Sequence, residues 1–142
     1  MSVIVLDTSV LIAGLLSSRG AASALLDAFF ADRIALAYTP PIFAEYVDVM
    51  ERPEFADVIT SPERMAIMLK LRASGRLVTP QPVPDDDWPD ADDLPFVAAA
   101  LATDAKVIVT LNPADFFPAS RHGVRILSPA QAKREFLAAR TE

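Results

Sequence analysis

Short β-branched runs alternate with helix-spaced apolar stretches along the whole chain, and this alternation leaves few folds open. Residues 3–6, 34–38, 107–109 and 124–127 read as strands, with a further short one over 77–79. Between them, Leu11, Ile12, Leu15 and Leu16 recur at helical spacing, and residues 20–32 form an Ala/Leu/Phe-rich helix. A third helix begins at Pro40 and Pro41, since the first turn of a helix needs no amide donor. Its apolar stripe is Ile42, Phe43, Tyr46, Val47, Val49 and Met50, and it stops near Arg52-Pro53. Ser61-Pro62-Glu63-Arg64 opens another with cap chemistry, running to about Ala73 and ended by Gly75. Residues 96–102, apolar all round, predict a buried helix, and residues 129–140 an amphipathic one. Strands separated by helices predict α/β architecture: a single-domain, three-layer α/β/α sandwich over residues 1–142, with a mostly parallel sheet of four to five strands.

One stretch breaks the pattern. Pro80-Gln81-Pro82-Val83-Pro84-Asp85-Asp86-Asp87-Trp88-Pro89 is too rich in proline for helix or central strand, so residues 80–91 read as a Pro/Asp-rich surface loop within the domain. The segments on either side are too short to make two cores.

Composition then narrows the chemistry. With 142 residues and 52% hydrophobic side chains the chain can bury a sizeable core. It has no cysteine, which excludes disulfide scaffolds, thiol catalysis and Cys-based zinc sites, and points to a reducing, cytoplasmic compartment. The start, Met1-Ser2-Val3-Ile4-Val5-Leu6-Asp7, is not a signal peptide, and no apolar run approaches the ~20 residues that span a bilayer, so no membrane is expected. The single histidine, His122, precedes Gly123 in a polar connection and reads as a solvated turn residue; Ser-His-Asp and His-rich metal chemistry lose their support. Net charge is −6 at pH 7. Proteins that hold nucleic acid by phosphate contacts alone are usually basic, so a polyanionic substrate requires local positive charge, which a divalent cation can supply.

Parallel sheets bind ligands beyond the carboxyl ends of their strands, and there the polar residues stand out. Asp7 follows the first strand; Thr110-Leu111-Asn112 follows the 107–109 strand, with Asp115 three residues on. Glu45 lies on the helix after the second strand, and Asp93 at the start of the 96–102 helix. Each has a plain structural reading: Asp7 and Asp93 or Asp92 as helix caps, Glu45 on a solvated face with Asp48 and Arg52, Asp115 in an Asx turn. Converged, they are another matter. Two carboxylates ~4 Å apart repel by about 4 kcal/mol at an effective dielectric of 20, so several cannot stay ionised together without a cation or a proton. Oxygen-only ligands select a hard ion, Mg²⁺ or Mn²⁺, which activates water and offsets charge on a phosphodiester.

These residues resemble those of the PIN-domain ribonucleases, in particular the bacterial branch of toxin components of toxin–antitoxin pairs (VapC-like). Val5-Leu6-Asp7-Thr8-Ser9-Val10-Leu11 is similar to the family's opening strand and Asp-Thr-Asn/Ser motif. Leu16-Ser17-Ser18-Arg19-Gly20-Ala21 resembles the branch's following loop, and Thr39-Pro40-Pro41-Ile42-Phe43-Ala44-Glu45 its Ser/Thr-Pro-x-x-x-x-Glu helix start. Glu51-Arg52-Pro53-Glu54-Phe55 resembles an Arg-Pro-x-Phe continuation. Asp90-Ala91-Asp92-Asp93-Leu94-Pro95-Phe96 leads, as in the family, into an alanine-rich helix, and Thr110-Leu111-Asn112-Pro113-Ala114-Asp115-Phe116 is similar to Thr-x-Asp/Asn-x-x-Asp-Phe.

The resemblance implies a compact PIN-like α/β fold and a metal-dependent endoribonuclease that hydrolyses single-stranded RNA, as a homodimer, with a cognate antitoxin as its protein partner. Asp7, Glu45 and Asp93 are implied as catalytic acids that ligate Mg²⁺ or Mn²⁺ and orient the attacking hydroxide. Thr110 and Asn112 are implied on the polar wall opposite, with Ser9 bracing Asp7 and Asp115 as an outer helper. Of Asp90, Asp92 and Asp93, alignment back from the alanine run selects Asp93, leaving Asp92 as cap or outer ligand. Many family members carry Asp where this chain has Asn112; the lost charge implies one firmly held ion, with any second arriving alongside RNA. Arg19, Arg52, Arg64, Lys70, Arg72 and Arg76 read as scattered surface charge, and Tyr46 and Trp88 as core or interface aromatics; none is assigned to RNA. Two rival readings remain: a catalytically weak PIN-like module that binds RNA or protein, and a receiver-type domain that takes phosphate on a strand-end Asp. The receiver reading lacks paired acids after the first strand and a Lys after the last.

Overall fold

The computed structural model describes residues 1–138. Strand β1 (Ser2–Leu6) leads into helices α1 (Thr8–Leu16) and α2 (Ala21–Phe30), then β2 (Ile34–Tyr38) and α3 (Pro40–Met50). A short α4 (Pro53–Ala56) precedes α5 (Ser61–Ser74) and β3 (Arg76–Leu77). After an irregular stretch come a 3₁₀ turn (Ala91–Asp93), α6 (Leu94–Leu101), β4 (Val107–Val109), α7 (Pro113–Phe116), a second 3₁₀ segment (Phe117–His122), β5 (Arg125–Leu127) and α8 (Pro129–Phe136). All the strand pairings are parallel, in the order β3-β2-β1-β4-β5. Successive residues Ile4, Val5 and Leu6 are all fully buried, and so is every residue of β2. A strand buried at both parities has both faces covered, which is why these segments read as unbroken apolar runs. Helix α6 lies across β1, β2 and β4, while α2 packs on β2 beside α1 and α8.

This order is doubly wound: the chain builds outward from β1 through β2 to β3, then crosses to β4 and β5 on the other side. The reversal falls between β1 and β4, and the crevice at their carboxyl ends is where such sheets take ligands. A receiver-type sheet runs 2-1-3-4-5, so the topology removes that reading.

Several boundaries differ from the sequence expectation for local reasons. Gly20 stands outside α2 as its N-cap with φ of 94°, and Asp32 takes a left-handed φ of 59°, so the helix is shorter than 20–32 at both ends. Helix α5 is capped not by its own serine but by Thr60, whose hydroxyl accepts from the Glu63 amide while the Glu63 carboxylate accepts from the Thr60 amide. Thr60→Ala removes this capping box and is expected to cost about 1 kcal/mol, lowering Tm by roughly 2–4 °C in a calorimetric scan. The expected 77–79 strand shrinks to Arg76–Leu77. The α4, α7 and 3₁₀ segments, each too short to show a period, went unseen. Positions 139 and 140 of the expected closing helix lie outside the described residues, and α8 ends at Phe136. Gly14 sits where a Cβ would lie 2.7 Å from Leu26 Cδ1 and 2.9 Å from the Ala22 carbonyl oxygen, so only glycine lets α1 and α2 approach this closely. No single helix among the described residues is long and apolar enough to cross a membrane.

Residues 78–90 have no helix or strand, as the proline density requires, but the stretch is strapped down. Val83 and Trp88 pack against the core, and the Gln81 amide donates to the Ala98 carbonyl at 3.1 Å. The Asp86 carboxylate accepts from Arg121 at 2.7 Å and pairs with His122 at 2.9 Å, and the Trp88 ring lies 6.0 Å from the imidazole. His122 is therefore a partner in the strap and not a solvated turn residue. The pairing spans 36 residues, which no local pattern announces.

Candidate active site

Asp7 occupies the N-cap position of α1, yet its side chain makes no capping bond. The residue is 8% exposed, and its carboxylate turns toward the end of β4. The Oδ2 atom accepts from the Ser9 hydroxyl and from the Thr110 hydroxyl, each at 2.8 Å. Register explains the second contact: Leu6 pairs with Val109, and the Asp7 amide donates to the Val109 carbonyl, so the residues following the two strands stand side by side. Thr110 is fully buried, and its oxygen also accepts from the Asn112 amide at 3.0 Å. Ser9 Oγ accepts from the Leu111 amide at 3.3 Å. The switch point is thus stitched through Asp7, with Oδ2 committed to hydroxyls and Oδ1 left for a ligand. Thr110, expected on a wall opposite, is instead buried against Asp7 and hydrogen-bonded to it; Asn112 is exposed at the start of α7.

Glu45 is half-buried on α3, not on a solvated face with Asp48 and Arg52. The Thr8 hydroxyl donates to its Oε2, joining the turn after Asp7 to α3. Burial pushes the Glu45 carboxyl above its ordinary value; the Thr8 bond and Arg52 oppose the rise, and the charges of Asp7 and Asp92 add to it. Asp93 closes the 3₁₀ turn at the entrance of α6, half-buried and making no cap bond of its own. The capping duty falls to Asp90, whose Oδ1 accepts from the Asp92 amide at 2.9 Å. Burial is again the largest cause that raises Asp93, to about 7, followed by the charges of Asp7, Asp90, Asp115 and Glu45. These shifts record a convergence: acids from the end of β1, from α3, from the α6 entrance and from α7 share one field. Asp92 and Asp115 are exposed at its rim.

Two further residues belong to this arrangement: Thr8, which stands in the Asp-Thr-Ser motif but had no role assigned, and Tyr46. Thr8 holds Glu45 across 37 positions, and Tyr46, read as a core or interface aromatic, is buried with its hydroxyl on the Leu6 carbonyl. Tyr46 cannot stack a base.

The donor set is all oxygen, and Glu45 and Asp93, both raised partly by neighbouring carboxylates, favour either a proton or a cation. That chemistry fits a hard divalent ion. Among the described residues, however, no three Asp, Glu or His side chains stand close enough together to ligate one ion as they are placed. The site is an acidic cluster that runs from buried Asp7 through half-buried Glu45 and Asp93 to exposed Asp92 and Asp115.

A family model described as the PIN domain matches residues 3–114, a span that includes Asp7, Glu45, Asp93, Thr110 and Asn112 and ends one residue before Asp115. No curated protein matches the chain.

Proposed function

The chain belongs to the PIN domain family, whose members are typically nucleases that use divalent metal ions, and from that premise we propose that it is an Mg²⁺- or Mn²⁺-dependent endoribonuclease acting on single-stranded RNA. One observation supports the reading: Asp7, at the β1/β4 switch point, is held by two hydroxyls, and acids from three other segments lie within electrostatic reach around it. Asp7, Glu45 and Asp93 would hold the ion. When bound, the ion lowers the pKa of water and offsets charge building on the phosphodiester.

The protein's own part is orientation. Ser9 and Thr110 fix the Asp7 plane, and Thr8 fixes that of Glu45; these bonds occupy Asp7 Oδ2 and Glu45 Oε2 and leave the second oxygen of each carboxylate for the ion. Asp93, raised to about 7 mainly by burial, would give up its proton when it holds the ion. Asn112 and Asp115 line the rim where RNA enters. The proposed biological setting is the toxin half of a toxin–antitoxin module, a homodimer silenced by its cognate antitoxin; finding an adjacent small antitoxin-like reading frame whose product co-purifies with this chain is the expected result, and its absence would count against that setting.

The enzyme is tested by incubating single-stranded RNA with the chain and Mg²⁺ or Mn²⁺, with EDTA as control. Internal cleavage that EDTA abolishes is expected. RNA retained without cleavage at every ion concentration would instead favour the catalytically weak binding module. Because Asn112 contributes no charge, calorimetric titration without RNA is expected to give one tight Mn²⁺ per chain; two equally tight ions would contradict this reading.

A further inference from the structure

Three buried aromatic rings form a row, each within three residues of an acid in the chain. Tyr46 follows Glu45, Phe96 follows Asp93 by one helical turn, and Phe116 follows Asp115. The Tyr46 and Phe96 rings lie 6.4 Å apart, and Phe96 meets Phe116 edge-on, also at 6.4 Å. All three are essentially inaccessible. Packing alone asks only for rings at these places, and phenylalanine serves at two of them. The third carries a hydroxyl, which is unfavourable to bury unless it finds a partner.

The partner is specific. Tyr46 donates to the carbonyl of Leu6 at 2.5 Å, across 40 residues. The β1–β2 register runs from Ser2 against Ile34 to Ile4 against Leu36, so the Leu6 carbonyl lies two residues beyond it. It is also the last carbonyl before Asp7.

We propose that Tyr46 is a positioning residue for the acid cluster: its hydroxyl, acting through the Leu6 carbonyl, sets the separation between Asp7 at the end of β1 and Glu45 on α3. It touches neither RNA nor ion. With Thr8 bonding Glu45 on the outer side, the Asp7–Glu45 pair is tied at two levels, once near the solvent and once in the core. The proposal rests on the metal-dependent nuclease reading.

The test is Tyr46→Phe in the full chain, which keeps the ring and deletes the donor. Measured at 10 °C, where the fold remains populated, Mn²⁺ affinity by calorimetry is expected to fall about tenfold. The kcat on single-stranded RNA is expected to fall roughly 10–100-fold with KM unchanged. Tm is expected to drop by about 2–6 °C. Ile67→Val, a fully buried change on α5, supplies the stability control and is expected to bind Mn²⁺ as the unmodified protein does. Unchanged Mn²⁺ affinity and kcat in Tyr46→Phe would overturn the positioning role and leave the nuclease reading standing. Equal loss in Ile67→Val would also overturn it, since a general loss of stability would then account for the effect. An unmodified chain that neither binds Mn²⁺ nor cuts RNA would overturn both.

Discussion

Asp93→Asn is expected to abolish divalent-ion-dependent RNA cleavage, by at least about 1000-fold, while making the metal-free protein more stable. A thousandfold loss is about 4 kcal/mol of barrier, the scale expected when a metal ligand is removed. The gain in stability follows from proton linkage. Burial and the neighbouring carboxylates raise the Asp93 carboxyl from the ordinary 3.8 to about 7 in the folded chain, so between those values the folded state binds the extra proton. A raised acid of this kind favours folding least at high pH: its stability contribution is fully present below about pH 4 and is lost as pH rises towards 7. The neutral amide removes that penalty. Because Asp93 is only half-buried, solvent screening discounts the gain to about 1–2 kcal/mol, or roughly 2–8 °C in Tm at pH 8 with EDTA present. The gain should shrink steadily as pH falls from 7 to 4. Asp7→Asn is expected to lose activity to the same degree and stay folded, because asparagine still offers one oxygen to Ser9 and Thr110. Cleavage at the unmodified rate by either variant would show that the acid has no catalytic role.

The second large effect is on ion binding. Proton and cation compete for Asp93, so Mn²⁺ affinity is expected to fall about tenfold per pH unit below pH 7, or about 100-fold between pH 7 and pH 5. Above pH 7 the dependence should flatten. Calorimetry in buffers of differing ionisation enthalpy should show close to one proton released per ion at pH 6. An affinity independent of pH over that interval would show that no raised Asp93 carboxyl competes with the ion.

What the sequence revealed and what it concealed divide along physical lines. Parallel strands covered on both faces must be apolar at consecutive positions, so β1, β2 and β4 were legible as runs, and the acid closing β1 stood out against them. Strand order was not legible, since nothing local distinguishes which strands become neighbours. The switch point that gives Asp7 and Thr110 their shared position therefore appeared only in the fold. Asp7 and Asp93 also had ordinary readings as caps, and the structure decides against both because neither makes a capping bond. Glu45 was ambiguous for a different reason: position on a helix gives a face, but not what lies opposite, and here that is Thr8. Hydroxyl-to-carboxylate and phenol-to-carbonyl bonds across 37, 40 and 103 residues leave no periodic trace.

The strap over residues 78–90 has a practical consequence. Trp88 is the chain's one tryptophan, and it is seated against His122 a few residues ahead of Asp93. Its emission therefore comes from a single known place beside the entrance of α6. The molecule carries its own optical gauge, able to report without any attached label whether the segment leading into the acidic cluster is docked.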